Sequence, residues 1–591
     1  MSLSWRGAAV APDDELPSPE TWEPVSVPGR PTAFAGADAV AYETTVSDPR
    51  SGADEHVVLA LRGAYAHTRV WCNGELVAES DSYVTPLRVR LPEAEEYRLV
   101  VECRAPEDRF GGLHDTDQLP PERRVPGIWW DAALETYPDP YVHAMRGRPR
   151  RTEDGAAVDV EAEVVSDGPV DDRLTFSVRP TGEVRGGGMM DRARVETESG
   201  SATVSHTVDV RDPSLWWPHD IGSQPRYVVR AKLGEAEHSL TTGLRSVGYD
   251  DGLSVNGEPV RARGVTLLDP TVEDVERAVA ANATLVRVRA QGVPPAVAEA
   301  CDEHGVLLWQ DLPLTGPGGF DMDRGRELAA SLTAHLGHHP CLACVAVHDE
   351  PVRPYADGLG SGTLDRLRYR FRAWRASYND APAETVADRV EGVPTFPVVG
   401  PPGIDPDAVT LYPGWRYGDV SDLAWLCDHY GVGSVVAGFG AGTTADDDAQ
   451  AYQARVVRAV AEALRRRESD IVVLDSLRDV ADAGTGVLAE DGTEKPAYGT
   501  LSDSYQPTQV VLSDPTPGES DIVACHDRPS GATVTVEWDH NGNRKQAEQV
   551  IGAYGRVTVG SLTLEAGDEL TLAAAVEGQV VKNEYRIEGD I

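Results

Sequence analysis

The chain has 591 residues, 41% of them hydrophobic, with 96 Asp+Glu against 54 Lys+Arg and a formal net charge of −42. That length calls for several hydrophobic cores. The charge speaks against a nucleic-acid partner, because phosphate backbones need a basic stripe and none is visible.

No run of about 18 apolar residues occurs, so no membrane-spanning helix is expected. Only four basic residues are lysines (Lys232, Lys495, Lys545, Lys582). The acidic residues are spread along the chain and do not form a tail. This reads as a solvated surface suited to strong salt, where screening removes self-repulsion. The seven cysteines are few, scattered and odd in number, which fits reduced thiols in a cytoplasmic, halophilic setting. Met1–Leu16 carries acidic residues without an apolar run and is not read as a secretory leader.

Residues 1–145 alternate with period two between turn signals. The stretch HVVLALRGAYAHTRVWCNGELVAES predicts two strands around a turn at Cys72–Gly74, and EYRLVVECRA predicts another. Both belong to an all-β sandwich. Residues 146–245 repeat the style in AAVDVEAEVV, RLTFSVRP, SATVSHTVDV and RYVVRAKL, giving a second sandwich of immunoglobulin-like size. Over residues 246–505 short β-branched runs alternate with helical stretches: VEDVERAVAANA then TLVRVRA, PAVAEACDEHG then VLLWQDL, RELAASLTAHLGHH then LACVAVH, and VSDLAWLCDHYG then SVVAGFG. The long AQAYQARVVRAVAEALRRRES helix then precedes DIVVLDSL. Such βα alternation predicts a parallel (β/α)8 TIM barrel. Residues 506–591 return to strands and form a third sandwich.

Sandwich, sandwich, barrel, sandwich resembles glycoside hydrolase family 2, and local motifs follow that family's order. RVWCNGELVAESDSYVTPLRVRL resembles the hairpin of its sugar-binding domain. VPGIWWDAALE, LWWPHDIGSQPRYVV and GLRSVGYDDGLSVNGEPVRARGV resemble the next three landmarks. NATLVRVRAQG, CDEHGVLLWQDLPL and HHPCLACVAVHDEP look like barrel strands two, three and four of the β-mannosidase-like branch. GVLAEDGTEKPAYGTLSDSYQP resembles the segment leaving the barrel.

A retaining glycosidase needs two carboxyl groups roughly 5 Å apart, one as acid/base and one as nucleophile. In a barrel both come from C-terminal strand ends. The resemblance makes Glu350, in VHDEP, the acid/base, with Asp349 where the family has an Asn. It puts the nucleophile at Gly438, in GSVVAGFG, which has no side chain. Asp475 stands near the end of strand eight, where the family has a Trp. By resemblance Trp309, Asp311 and Arg287 contact the sugar; Arg287 alternatively forms an internal salt bridge, to Glu350. Tyr412 and Trp415 offer aromatic faces to sugar C–H groups. No metal site and no cofactor is expected. Cys341 and Cys344 read as buried thiols, and the Arg146–Arg151 run as a bridge between acidic domains.

Three functions follow: a family member acting on or binding β-linked carbohydrate with impaired or absent catalysis, a pseudoenzyme; an active β-glycosidase pairing Glu350 with Asp349 or Asp475; or an assembly scaffold without sugar chemistry. Homo-oligomer formation is left open.

Overall fold

A computed structural model defines the fold and describes residues 3–587 apart from 14, 53, 183–187 and 482–483. From Trp5 to Pro138 a six-stranded and a three-stranded antiparallel sheet face each other around Val40, Leu59, Val70, Leu99 and Val101. The hairpin His67–Cys72/Glu75–Ser80 turns at Asn73 and Gly74, both at positive φ (52° and 95°). An Asn-Gly pair adopts that conformation at little cost and matches the strand twist. From Tyr141 to Thr242 a three-stranded and a four-stranded sheet form the second sandwich. The segment from Thr508 to Arg586 repeats that arrangement.

Between them lies a closed barrel of eight parallel strands. These are β1 (Ala262–Leu267), β2 (Leu285–Val288), β3 (Leu307–Asp311), β4 (Leu342–Asp349), β5 (Thr395–Gly400), β6 (Ala408–Leu411), β7 (Val435–Phe439) and β8 (Ile471–Leu474). The barrel closes where Ala262 of β1 pairs with Ile471 of β8. Both faces of each strand are covered, so the strands read as β-branched runs without polar alternation.

The helices outside are α1 (Val272–Ala280), α2 (Pro295–His304), α3 (Met322–Leu336), α4 (Thr363–Arg375), α5 (Ala381–Ala387), α6 (Asp422–Tyr430), α7 (Asp447–Arg466) and α8 (Pro496–Ser504). Their ends are written in the sequence. Thr271 and Asp274 form a reciprocal capping box on α1, and Asp321 and Asp446 cap α3 and α7. Gly305 and Gly431 close α2 and α6 in the left-handed conformation. Both α4 and α5 lie between β4 and β5, while β5 passes to β6 through residues 401–407 without a helix.

The other domains grip opposite ends of the barrel. The first sandwich holds the loops after β1, β2 and β3. Arg30 pairs with Asp269 at 2.8 Å, Tyr83 accepts the Gly292 N–H at 3.0 Å, and Arg109 donates to the Thr315 carbonyl at 2.6 Å. It therefore walls one side of the barrel mouth.

At the base, Arg263 of β1 pairs with Asp220 of the second sandwich at 2.6 Å and with Asp527 of the third at 3.5 Å. Asp527 also binds Arg465 of α7 at 2.7 Å and Arg556 at 2.8 Å. Within the arginine run, Arg148 reaches Glu391 of the barrel domain at 2.7 Å, and Arg151 donates to the Asn256 carbonyl at 2.7 Å. Arg146 and Arg150 pair within their own sheet, with Glu161 and Asp159.

Candidate active site

The C-terminal ends of β4, β6, β7 and β8 bring Glu350, Tyr412, Gly438 and Asp475 to one place. Glu350 is the residue after β4. Its N–H is held by the Val399 carbonyl of β5 at 2.8 Å, and its φ is +47°. A non-glycine residue in the left-handed region is uncommon and costs about 1 kcal/mol or more. The half-buried side chain lines a cavity of about 50 Å³ with Thr410, Tyr412, Arg416, Tyr355 and Tyr417. Burial raises the Glu350 carboxyl above the ordinary glutamate range, and the neighbouring Asp349 charge adds to this. Arg289, a hydrogen bond from Thr410 and Arg416 oppose the rise. A carboxyl of this kind stays protonated closer to neutral pH and is suited to giving a proton.

Asp349, the last residue of β4, is 1% exposed and fully engaged. It accepts from Arg287 at 2.8 Å, from Arg289 at 2.9 Å and from the Thr315 hydroxyl at 2.8 Å. Burial alone would raise this carboxyl, but the Arg289 and Arg287 charges outweigh it and bring it down to about 2. Both its oxygens are thus held by cations.

Three further residues sit below the mouth. Arg287 is 1% exposed and binds Asp311 and Asp349, with its third contact on the Ala437 carbonyl at 2.9 Å. Its internal partners are thus Asp311 and Asp349, where Glu350 was expected. Asp311 is 1% exposed and spends its carboxylate on Arg287 and the Ala290 N–H. Trp309 is wholly buried against Phe396, ring centroids 5.0 Å apart. Each of these three side chains is enclosed by its neighbours in the barrel interior.

Gly438 lies buried in β7. Its backbone is not left-handed, so its lack of a side chain is a matter of space. A Cβ built there would stand 2.7 Å from the Tyr412 hydroxyl oxygen. That hydroxyl donates to Asp475 Oδ2 at 2.7 Å. Asp475 follows β8, is 7% exposed, and its N–H is held by the Phe439 carbonyl at 2.8 Å. Burial pushes the Tyr412 phenol well above its ordinary value, and the Asp475 and Glu350 charges push the same way. Trp415 stands edge-on to Tyr412 at 5.3 Å, outside the lining of the Glu350 cavity, with Arg416 over its ring at 4.8 Å.

Two residues of the mouth were not singled out from sequence. Arg289 acts on Asp349, Asp475, Tyr412 and Glu350 together. Strand alternation carries its signal, since two residues beyond Arg287 is the same face, one layer nearer the mouth. Arg416 lies over Tyr412 at 5.1 Å, in a loop where no periodicity points to it.

Among the described residues two groups have metal-ligand character, and neither is at the mouth. Asp302, His339 and Cys341 cluster beside the start of β4, and His56, Asp139 and Asp167 join the first two sandwiches. Asp302 is already committed to His339 Nδ1 at 2.6 Å and the Cys341 N–H at 3.0 Å. Cys341 and Cys344 are buried free thiols. No described helix is long and apolar enough to cross a membrane.

Comparison with known proteins agrees with this architecture. The family model for glycosyl hydrolases family 2 matches residues 141–245, the second sandwich. The chain is 26% identical over 372 residues to a beta-mannosidase B of Neosartorya fischeri, covering 51% of this chain and 42% of that protein. It is 26% identical over 430 residues to the beta-mannosidase B of Thermothelomyces thermophilus, covering 60% and 49%. The chain thus spans about half the length of the relatives it matches. Among solved structures, the beta-D-mannosidase of Dictyoglomus thermophilum superposes with a TM-score of 0.76 at 15% identity, covering 100% of this chain and 89% of the other. A beta-glucuronidase of Bacteroides uniformis gives 0.69 at 15%, covering 99% and 79%. At those identities the structural likeness is one of fold. Domain order, a closed parallel barrel between sandwiches and the matched sequence segments together support a member of glycoside hydrolase family 2.

Proposed function

We propose that this protein acts on β-linked carbohydrate, with β-mannosides as the first class to try, at a barrel mouth where Glu350 is the proton donor and position 438 supplies no nucleophile. The observation that carries the reading is Glu350 itself. It sits at a C-terminal strand end, half-buried, shifted toward its acid form and facing a cavity it shares with Tyr412 and Arg416. The ordinary two-carboxylate route is impaired, because glycine at 438 has no group with which to attack an anomeric carbon. The names of the matched mannosidases support the sugar class.

The test compares wild type with Glu350→Gln, in high salt, on two aryl β-mannosides that differ in leaving group. A proton donor matters for a poor leaving group and little for dinitrophenolate. Glu350→Gln should therefore lose the first activity by roughly a hundredfold or more and keep most of the second. Equal rates on the poor leaving group would remove Glu350 from the role.

One observation favours a second reading. A cavity of about 50 Å³ is well below the several hundred Å³ of ordinary ligand pockets. A mouth filled by Tyr412, Arg416 and Tyr355 suits an assembly scaffold that takes no sugar. Titration calorimetry with mannose and methyl β-mannoside decides between them: no heat with either ligand at millimolar concentration favours the scaffold.

A further inference from the structure

The space left by the missing side chain at 438 is not empty. The Tyr412 hydroxyl occupies it, 2.7 Å from where a Cβ would stand, and donates to Asp475 at 2.7 Å. Tyr412 and Glu350 line the same cavity. One wall therefore carries an acid, and another carries a phenol hydrogen-bonded to a carboxylate, at the place where the resemblance expects the second carboxyl. We propose that Tyr412 is the nucleophile of this site and Asp475 is its base. This rests on the reading above that the mouth acts on β-glycosides.

The chemistry closes without a co-reactant other than water. In the first step Tyr412 Oη attacks the anomeric carbon while the bond to the leaving oxygen breaks. Glu350 gives its proton to that oxygen, and the phenol proton passes to Asp475 Oδ2. The product is an aryl glycoside on Tyr412. In the second step Glu350, now a carboxylate, takes a proton from water as the water oxygen attacks the same carbon. The bond to Oη breaks, and Asp475 returns its proton to the phenol. Two inversions leave the configuration retained.

Burial holds this phenol well above its ordinary value, so departure of Oη in the second step relies on the proton that Asp475 returns to it. Arg289 and Arg416 oppose part of that rise, and the attack itself depends on Asp475 taking the phenol proton. Tyrosine serves as nucleophile in other glycosidases, so the step has chemical precedent. A tyrosine that merely fills the hole would share the hydrogen bond but not the reactivity, and labelling separates the two.

The full chain is incubated with a 2-deoxy-2-fluoro β-mannoside bearing a dinitrophenolate leaving group, and the adduct is located by peptide mass spectrometry. The expected result is one fluorosugar on the peptide carrying Tyr412, with retained configuration in the first-formed product of an ordinary substrate. Tyr412→Phe should lose the label and at least about a thousandfold in kcat/KM. Asp475→Asn keeps the phenol, so it should still label at Tyr412, roughly a hundredfold more slowly.

A label on another residue, Tyr412→Phe within tenfold of wild type, or inverted product would each overturn the tyrosine role while leaving the β-glycoside reading intact. Labelling of Asp475→Asn at the wild-type rate removes Asp475 as base. Wild type with neither turnover nor label overturns both the nucleophile and the reading beneath it. Circular dichroism melts of both variants, matched to wild type, keep a loss of activity from being a loss of fold.

Discussion

The fit between Gly438 and Tyr412 can be measured as a coupling energy without reference to any substrate. In Gly438→Ala the new methyl lies 2.7 Å from the Tyr412 hydroxyl, which must retreat by about 0.7 Å to reach an ordinary 3.4 Å contact. That retreat breaks the 2.7 Å bond to Asp475, a buried carboxylate with no other side-chain hydrogen bond among the described residues. Losing a hydrogen bond to a charged group costs about 1.5–3 kcal/mol, so Gly438→Ala should destabilise by about 2 kcal/mol. In a Tyr412→Phe background the clash is gone: the next atoms are 3.6 Å away. The backbone at 438 suits alanine, so there the same change should be neutral or stabilising by about 0.5 kcal/mol.

The double-mutant cycle should thus give a coupling of about 2 kcal/mol, against about 0.5 kcal/mol for sites that do not touch. Urea unfolding at fixed high salt, followed by tryptophan fluorescence, reads it, because urea leaves the ionic strength unchanged. A coupling within about 0.5 kcal/mol of zero refutes the claim that the hydroxyl occupies the space at 438.

Asp349→Asn should cost about 3–5 kcal/mol in the same assay, since it takes the buried carboxylate from Arg289 and leaves Arg287 with Asp311 as its carboxylate partner. A loss under about 1 kcal/mol would mean that the network does not hold the mouth. The pH dependence has a definite sign: Glu350 must be protonated to act, so the alkaline limb of kcat/KM falls as pH rises through its raised pKa. The groups facing it are Asp349, Arg289, Thr410 and Arg416. Arg416 favours the carboxylate, so Arg416→Gln should move that limb to higher pH, and a pH–rate profile with the limb moved downward would contradict this. Dialysis from about 1 M to about 0.01 M salt should lower the melting temperature, because a formal charge of −42 repels itself over a Debye length that grows from about 3 Å to about 30 Å. An unchanged melting curve would leave the acidic surface without that role.

Much of this molecule is legible in its residues. Period-two runs, then βα alternation, then period two again place three sandwiches and a barrel, and the helix caps at Thr271, Asp321 and Asp446 are spelled out. Strands β5 and β6 are not. Pro397 interrupts β5 where a ladder donor is missing, and β6 has four residues, too few for a period to emerge. At the site, position along a strand puts Glu350 and Gly438 at the mouth. It does not separate residues that look outward from the strand end from residues buried one layer below, so Trp309, Asp311 and Arg287 read as sugar contacts. The Tyr412–Asp475 bond joins residues 63 apart and exists only because β6, β7 and β8 close side by side. A glycine on β7 signals missing chemistry in the sequence; only the closed barrel puts a phenol into the gap.

The cluster around Asp527 bears on how such a protein can change over generations. Arg263, Arg465 and Arg556 converge on one carboxylate at the foot of the barrel, and Asp220 joins through Arg263, so three domains are tied together far from the mouth. The first sandwich is fastened separately, at the mouth, through Arg30, Tyr83 and Arg109. Substitutions at the mouth, as at Gly438 and Asp349, act locally and leave the contacts at the foot in place. Such a chain can exchange side chains at the mouth over generations without loosening the junctions at the foot of its barrel.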